Sequence, residues 1–195
     1  MTDIRLGYTG PSQEQWLKTY YFIRALVSAV WVAAAFTVGQ QSPMIAAILL
    51  ALYPAWDAVA NYIDAARSGG LAGNRTQAIN VAVSLVTTAA VIIALRMTTN
   101  SVLAVFGVWA ILSGLLQLGT AVRRWKSYGA QWAMILSGAQ SALAGAFFIL
   151  QARTPVLASM SITRVAGYAA VGAVYFLVSA VWLFVSLRRK AASMS

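Results

Sequence analysis

Long apolar runs separated by short polar clusters dominate the chain. Six runs, at residues 19–42, 43–66, 76–96, 101–122, 130–151 and 160–187, meet the length of about 20 residues that a helix needs to cross a bilayer. The first break is Gly39, Gln40, Gln41, Ser42 and Pro43, and the second is the glycine-rich stretch 68–74. The third is Thr98, Thr99 and Asn100, and the fourth runs from Arg123, Arg124, Trp125 and Lys126 through Ser127, Tyr128 and Gly129. Arg153, Thr154 and Pro155 form the last. Pro43 and Pro155 suit helix starts or turns. An open sheet edge in lipid would leave backbone groups unpaired, so all six runs are expected to be helices. The expected fold is an all-α integral membrane bundle, a single domain over residues 1–195 with a short arm at 1–18.

The runs also repeat. Tyr53 to Arg67, Trp109 to Arg123 and Tyr175 to Arg189 share one spacing, and Asp57, Ser113 and Ser179 each stand four residues after the aromatic. The odd runs align on Ser28, Ser84 and Ser137. The step from serine to aromatic is equal in the first two pairs and longer in the third, which places the extra length between runs five and six. This predicts three parallel helix-hairpin repeats, approximately 19–75, 76–129 and 130–190, about an axis along the membrane normal. Ala25, Ala29 and Ala33 on run one, and Ser137, Ser141 and Gly145 on run five, are small residues at helical spacing. They predict close helix packing within the chain, with a homo-oligomer contact as the alternative.

Composition changes the picture by exclusion. Of 195 residues 61% are hydrophobic and 9% charged, against about 25% charged in a soluble domain. Cysteine and histidine are absent, which excludes disulfides, Cys/His metal sites and imidazole or thiol catalysis. Asp3, Glu14, Asp57 and Asp64 are the only acids, too few for a carboxylate metal cage. No cofactor, metal or catalytic residue is expected.

Of the 14 basic residues, Arg5, Lys18, Arg67, Arg75, Arg123, Arg124, Lys126, Arg188, Arg189 and Lys190 fall on one side, and Arg96, Arg153 and Arg164 on the other. The positive-inside rule then puts both termini in the cytoplasm. The net charge of +10 reads as topology, with attraction to anionic inner-leaflet lipids as a looser reading and nucleic acid excluded as a partner. Asp3 and Glu14 ahead of run one argue for an uncleaved helix rather than a signal peptide. Residues 11–18 read as a helical lead-in, with Ser12 as cap and Trp16 at the interface. The stretch 68–74 lacks the ending of a phosphate loop and reads as a flexible connector.

Polar residues inside the runs carry the functional signal. Asp57, Asn61 and Asp64 share one face of run two, and Arg24 enters run one from the same side. Asp57 lies about 15 Å from the Arg67 end of its helix at 1.5 Å per residue. Arg24 can reach Asp64, Asn61 or, by extending, Asp57. Three readings stand: a structural ion pair, a proton or solute site in a water-filled cavity, and snorkelling to the interface. Pro54 frees the carbonyl of Leu50 and could open a pocket beside Tyr53 and Trp56. Asn80, Gln117 and Gln140 are expected to bond across helices.

The segment Gly107, Val108, Trp109, Ala110, Ile111, Leu112, Ser113, Gly114, Leu115, Leu116, Gln117, Leu118, followed by Arg123, resembles the HdeD-like membrane proteins. Tyr175, Phe176, Leu177, Val178, Ser179 and Ala180 echo it, while Pro54 and Asp57 depart from it. The resemblance implies a multi-pass bacterial inner-membrane protein with six helices in three hairpins, and a role in acid or envelope stress resistance. The expected function is accordingly non-enzymatic. The alternative is a small proton or solute transporter or channel acting near Asp57 and Arg24, with Ser28, Ser84 and Ser137 facing inward.

Overall fold

The computed structural model describes residues 11–126, 130–154 and 158–193. The expectations attached to Asp3, Arg5, Pro155, residues 127–129 and the Ser12 side chain lie outside that description. The described regular structure is helical: α1 (Pro11–Phe36), α2 (Val38–Gln41), α3 (Pro43–Arg67), α4 (Gly70–Gly73), α5 (Arg75–Ala94), α6 (Thr99–Arg124), α7 (Gln131–Gln151) and α8 (Ala158–Ala192). α2 and α4 are single turns. The other six coincide with the six apolar runs and are long and apolar enough to cross a membrane. The chain is a multi-pass membrane protein.

Local chemistry sets several helix starts. Ser42 Oγ accepts from the Ile45 amide at 3.4 Å, and Pro43 follows in the first helical position of α3, where its missing N–H costs nothing. Thr98 Oγ1 likewise accepts from the Ser101 amide at 3.1 Å and starts α6. At the α7 C-terminus, Asn100 Nδ2 donates to the carbonyl of Ala152 at 2.7 Å, which satisfies an orphan acceptor of the last turn.

α1 begins at Pro11, as the helical lead-in over residues 11–18 predicts, and α8 runs on to Ala192, beyond its apolar run. Packing between the two explains it. Leu17 and Leu183 are fully buried, and Lys190 Nζ lies 2.8 Å from the Glu14 carboxylate. The polar lead-in is thus held helical by a neighbour rather than by its own apolarity. The same contact places both ends of the described chain at one end of the bundle, called here the terminal end.

The six long helices follow a ring in the order α1, α3, α5, α6, α7, α8, whose loosest side, between α1 and α3, is bridged by side chains such as Arg24 and Trp31. The most extensive pairings are α6 with α7, α1 with α8, and α3 with α5. α6 and α7 approach at two glycine pairs. A Cβ on Gly114 would stand 2.6 Å from the Gly138 carbonyl oxygen, and one on Gly145 would stand 2.5 Å from that of Gly107. Without an apolar driving force in lipid, such backbone contact supplies dispersion that larger residues would prevent.

Of the small residues expected to pack, Ser141 and Gly145 lie in this interface, and Ser141 Oγ donates to the Ala110 carbonyl at 3.0 Å. The α1 stripe does not pack as expected. Ala25 is buried, but Ala29 and Ala33 are exposed. Residues four apart advance by about 40° beyond a full turn, so the stripe drifts off the face that meets α8.

The ring interior differs along its length. In the half remote from the termini it is filled by Val91, Val102, Leu103, Phe106, Phe148, Val165 and Ala169, all buried and apolar. The terminal half has an apolar cluster of its own, including Leu17, Tyr20, Tyr21, Met134, Phe176 and Leu183, beside a set of buried polar side chains. Large apolar residues such as Met44, Val86 and Leu143 point outward, as lipid-facing positions do.

Candidate functional site

Two acid-centred networks hang on α3. Asp57 sits four residues after Tyr53 and one turn past Pro54, on the face that looks into the ring. Its Oδ1 accepts from Arg24 Nη2, and the two form an ion pair. Its Oδ2 accepts from Asn61 Nδ2 at 2.9 Å and from Ser84 Oγ at 2.8 Å. Trp109 Nε1 then donates to Ser84 Oγ at 3.0 Å, so α1, α3, α5 and α6 are joined through one carboxylate. Arg24 also donates from Nη1 to the Tyr20 hydroxyl at 3.1 Å, and its guanidinium lies 4.3 Å from the Phe176 ring centroid.

Asp64, fully buried two turns nearer the terminal end, anchors the second network. Its Oδ2 accepts from Gln77 Nε2 and, at 3.0 Å, from Arg124 Nη2. Ser68 Oγ lies 3.4 Å from its Oδ1 and also accepts from Arg124 at 3.2 Å. Arg123 donates to Asn74 Oδ1 at 2.5 Å. The stretch 68–74 is therefore held at both ends by arginines of α6, and the exposed single turn α4 lies between.

Of the predicted residues, Arg24, Asp57 and Asn61 converge in one network, while Asp64 takes Arg124 instead. The reason is helix length. Because α1 starts at Pro11, Arg24 lies about 20 Å along it at 1.5 Å per residue, level with Asp57 rather than Asp64. The sequence places Arg124 in a topological basic cluster, yet it is buried. Its position as the last residue of α6 gives no sign that the chain turns it inward. Gln77, next to a helix start, likewise carries no sign in the sequence that it meets Asp64.

The two networks line a cavity of about 70 Å³ inside the terminal half. At roughly 10–15 Å³ per water on this measure, it has room for several water molecules. Every long helix contributes to its wall, for example Tyr21, Asn61, Asn80, Thr120, Gln140 and Gly172. Ser113 and Ser137 line it as well. Ser28, Ser84 and Ser137 are all buried, as expected of inward-facing serines. Gln117 makes the expected interhelical bond, Nε2 to the Met134 carbonyl at 3.1 Å. Asn80 Oδ1 does not: it and Thr120 Oγ1 are buried without a hydrogen-bond partner.

Aromatic rings close the cavity off from the apolar half. Centroids run Trp31 to Tyr53 at 4.6 Å, Tyr53 to Trp109 at 5.6 Å, Trp109 to Tyr168 at 6.3 Å and Tyr168 to Phe148 at 5.9 Å. The rings come from α1, α3, α6, α8 and α7 in turn, a layer near mid-bundle. Trp31 Nε1 donates to the Leu49 carbonyl at 2.8 Å, beside the Leu50 carbonyl that Pro54 leaves without its helical donor.

Serines pair with this layer. Ser28 faces the Tyr53 hydroxyl, Ser84 holds Trp109, and Ser141 lies 2.6 Å from the Tyr168 hydroxyl. In the third helix pair the residues in the layer are therefore Ser141 and Tyr168, not Ser137 and Tyr175. Tyr168 precedes Tyr175 by seven residues, close to two full helical turns, so both lie on nearly the same face.

Residues 81–150, from within α5 to the penultimate residue of α7, match the family model described as a short repeat of unknown function, DUF308. No curated protein and no solved structure matches the chain.

Proposed function

We propose that this chain is a non-enzymatic protein of the bacterial cytoplasmic membrane that holds a hydrated half-channel for protons or a small polar solute. The cavity beside the Arg24–Asp57 pair carries the reading. Charged groups within a membrane span cost roughly 2.5–3.5 kcal/mol on insertion scales, and water together with a partner is what relieves that cost. The aromatic layer beyond Asp57 would be the barrier that opening must displace.

We read the chain as one domain of three parallel hairpin repeats, with both termini in the cytoplasm. The excess of basic residues at the terminal end supports the orientation, and the three serine–aromatic pairs support the repeat. That basic end would sit against anionic lipid headgroups. An enzymatic role is disfavoured because the chain lacks histidine and cysteine, and because both buried acids are engaged by donors. The HdeD-like resemblance supports acid or envelope stress as the setting.

A second reading, a purely structural stress-protective bundle, is favoured by one observation: both oxygens of Asp57 and of Asp64 already accept hydrogen bonds from side chains. Proton flux into proteoliposomes under a pH gradient separates the two. Flux above that of empty liposomes, reduced in Asp57→Asn, supports the half-channel. Absence of flux from the parent protein supports the structural bundle.

A further inference from the structure

We propose that the cavity is a binding site for a small neutral solute that both donates and accepts hydrogen bonds, of the amide or polyol class. The inference rests on the hydrated-cavity reading above and narrows it to one chemistry.

Charge excludes ions. The wall holds two cations, Arg24 and Arg124, and two anions, Asp57 and Asp64, paired one to one. A cationic ligand would have to displace an arginine from a carboxylate whose oxygens are already occupied, and an anionic one would have to take an arginine away. Either leaves a buried charge uncompensated, which is strongly unfavourable.

Unused hydrogen-bonding capacity gives the ligand its shape. Asn80 and Thr120 are more than nine-tenths buried and line the cavity, yet Asn80 Oδ1 and Thr120 Oγ1 have no partner. Arg24 Nε is likewise buried without an acceptor. Residues of the wall thus hold an amide oxygen, a hydroxyl and an N–H donor without partners, each of which carries a desolvation cost until it is met. A molecule presenting N–H or O–H groups beside a carbonyl or hydroxyl oxygen has the chemistry to meet these groups. Phe176, Trp109 and Tyr168 supply apolar wall for its carbon atoms. A volume of about 70 Å³ limits it to a few heavy atoms.

The test is saturation-transfer NMR on the purified full chain in detergent, with acetamide and glycerol as probes and acetate and methylammonium as charged counterparts. A saturable signal from acetamide or glycerol is expected, with none from the charged pair. Asn80→Leu combined with Thr120→Val, in protein whose thermal melt shows it folded, is expected to weaken binding about tenfold per lost hydrogen bond. Asn80→Gln is expected to retain part of it. Binding that is unchanged in the double variant, equal binding of charged probes, or no binding of either neutral probe overturns the proposal. The proteoliposome assay keeps the two readings apart. Binding without proton flux would sink the proton half-channel and leave the solute site standing. Flux without binding would do the reverse.

Discussion

The half of the bundle near the termini surrounds Arg24, Asp57, Asp64 and Arg124 with amides and hydroxyls, whereas the half beyond the aromatic layer packs Val91, Leu103, Phe106 and Val165 around its axis. Both halves belong to the same six long helices in the same lipid-facing ring. Cohesion differs between them because lipid offers no hydrophobic drive for helix association. In the remote half, contact and shape have to supply it, as at the Gly107–Gly145 crossing. In the terminal half, buried charges add to the close approach of Gly114 and Gly138, since separating them leaves a charge without a partner. That half also encloses the cavity.

The comparison is tested most severely by Arg24→Leu. Unpairing Asp57 in a site where both side chains are less than 15% exposed is expected to cost about 3–5 kcal/mol, read as a lower melting temperature in detergent. The double variant Arg24→Leu with Asp57→Leu is expected to recover most of the loss. An Arg24→Leu melt equal to the parent's would show that the ion pair does not hold this half together.

Gly107→Ala probes the other half. Its Cβ would come within 2.8 Å of the Gly145 carbonyl oxygen, and moving the backbones apart is expected to cost about 1–3 kcal/mol. If the melt is unchanged, close backbone approach is not what secures the remote half.

The smallest effect is expected at the border. Trp109→Phe keeps the ring in the aromatic layer but removes the donor to Ser84 Oγ, for a loss of about 1 kcal/mol. A much larger loss would mean that the layer and the Asp57 network act as one unit.

Much of this architecture is legible along the chain. Apolar runs of spanning length, ended by Ser42–Pro43 and Thr98, locate the helices, because crossing lipid imposes a length and capping imposes a residue type. Asp57, Asn61 and Asp64 stand out for a similar reason: polar groups that are costly in a membrane share one helical face. The choice of partners does not stand out. Arg24 pairs with Asp57, and Asp64 with Arg124, because the two cations lie at different depths in the bundle, which the packing of one helix on another decides. The register of the third helix pair is hidden for another reason. Tyr168 and Tyr175 differ by nearly two whole turns, so helical periodicity cannot separate them, and only the layer shared with Trp109 and Phe148 does.

Sequence alone therefore determined what depends on the solvent around each residue: a membrane protein of six long helices, the polar face of its second span, and the absence of thiol and imidazole groups. Tertiary structure decided what depends on distance: which cation meets which acid, where the ring is filled and where a cavity remains, and which glycines bring two backbones together. Burial is written into composition and periodicity. Pairing depends on relative helix depth and rotation, which arise only when the ring closes.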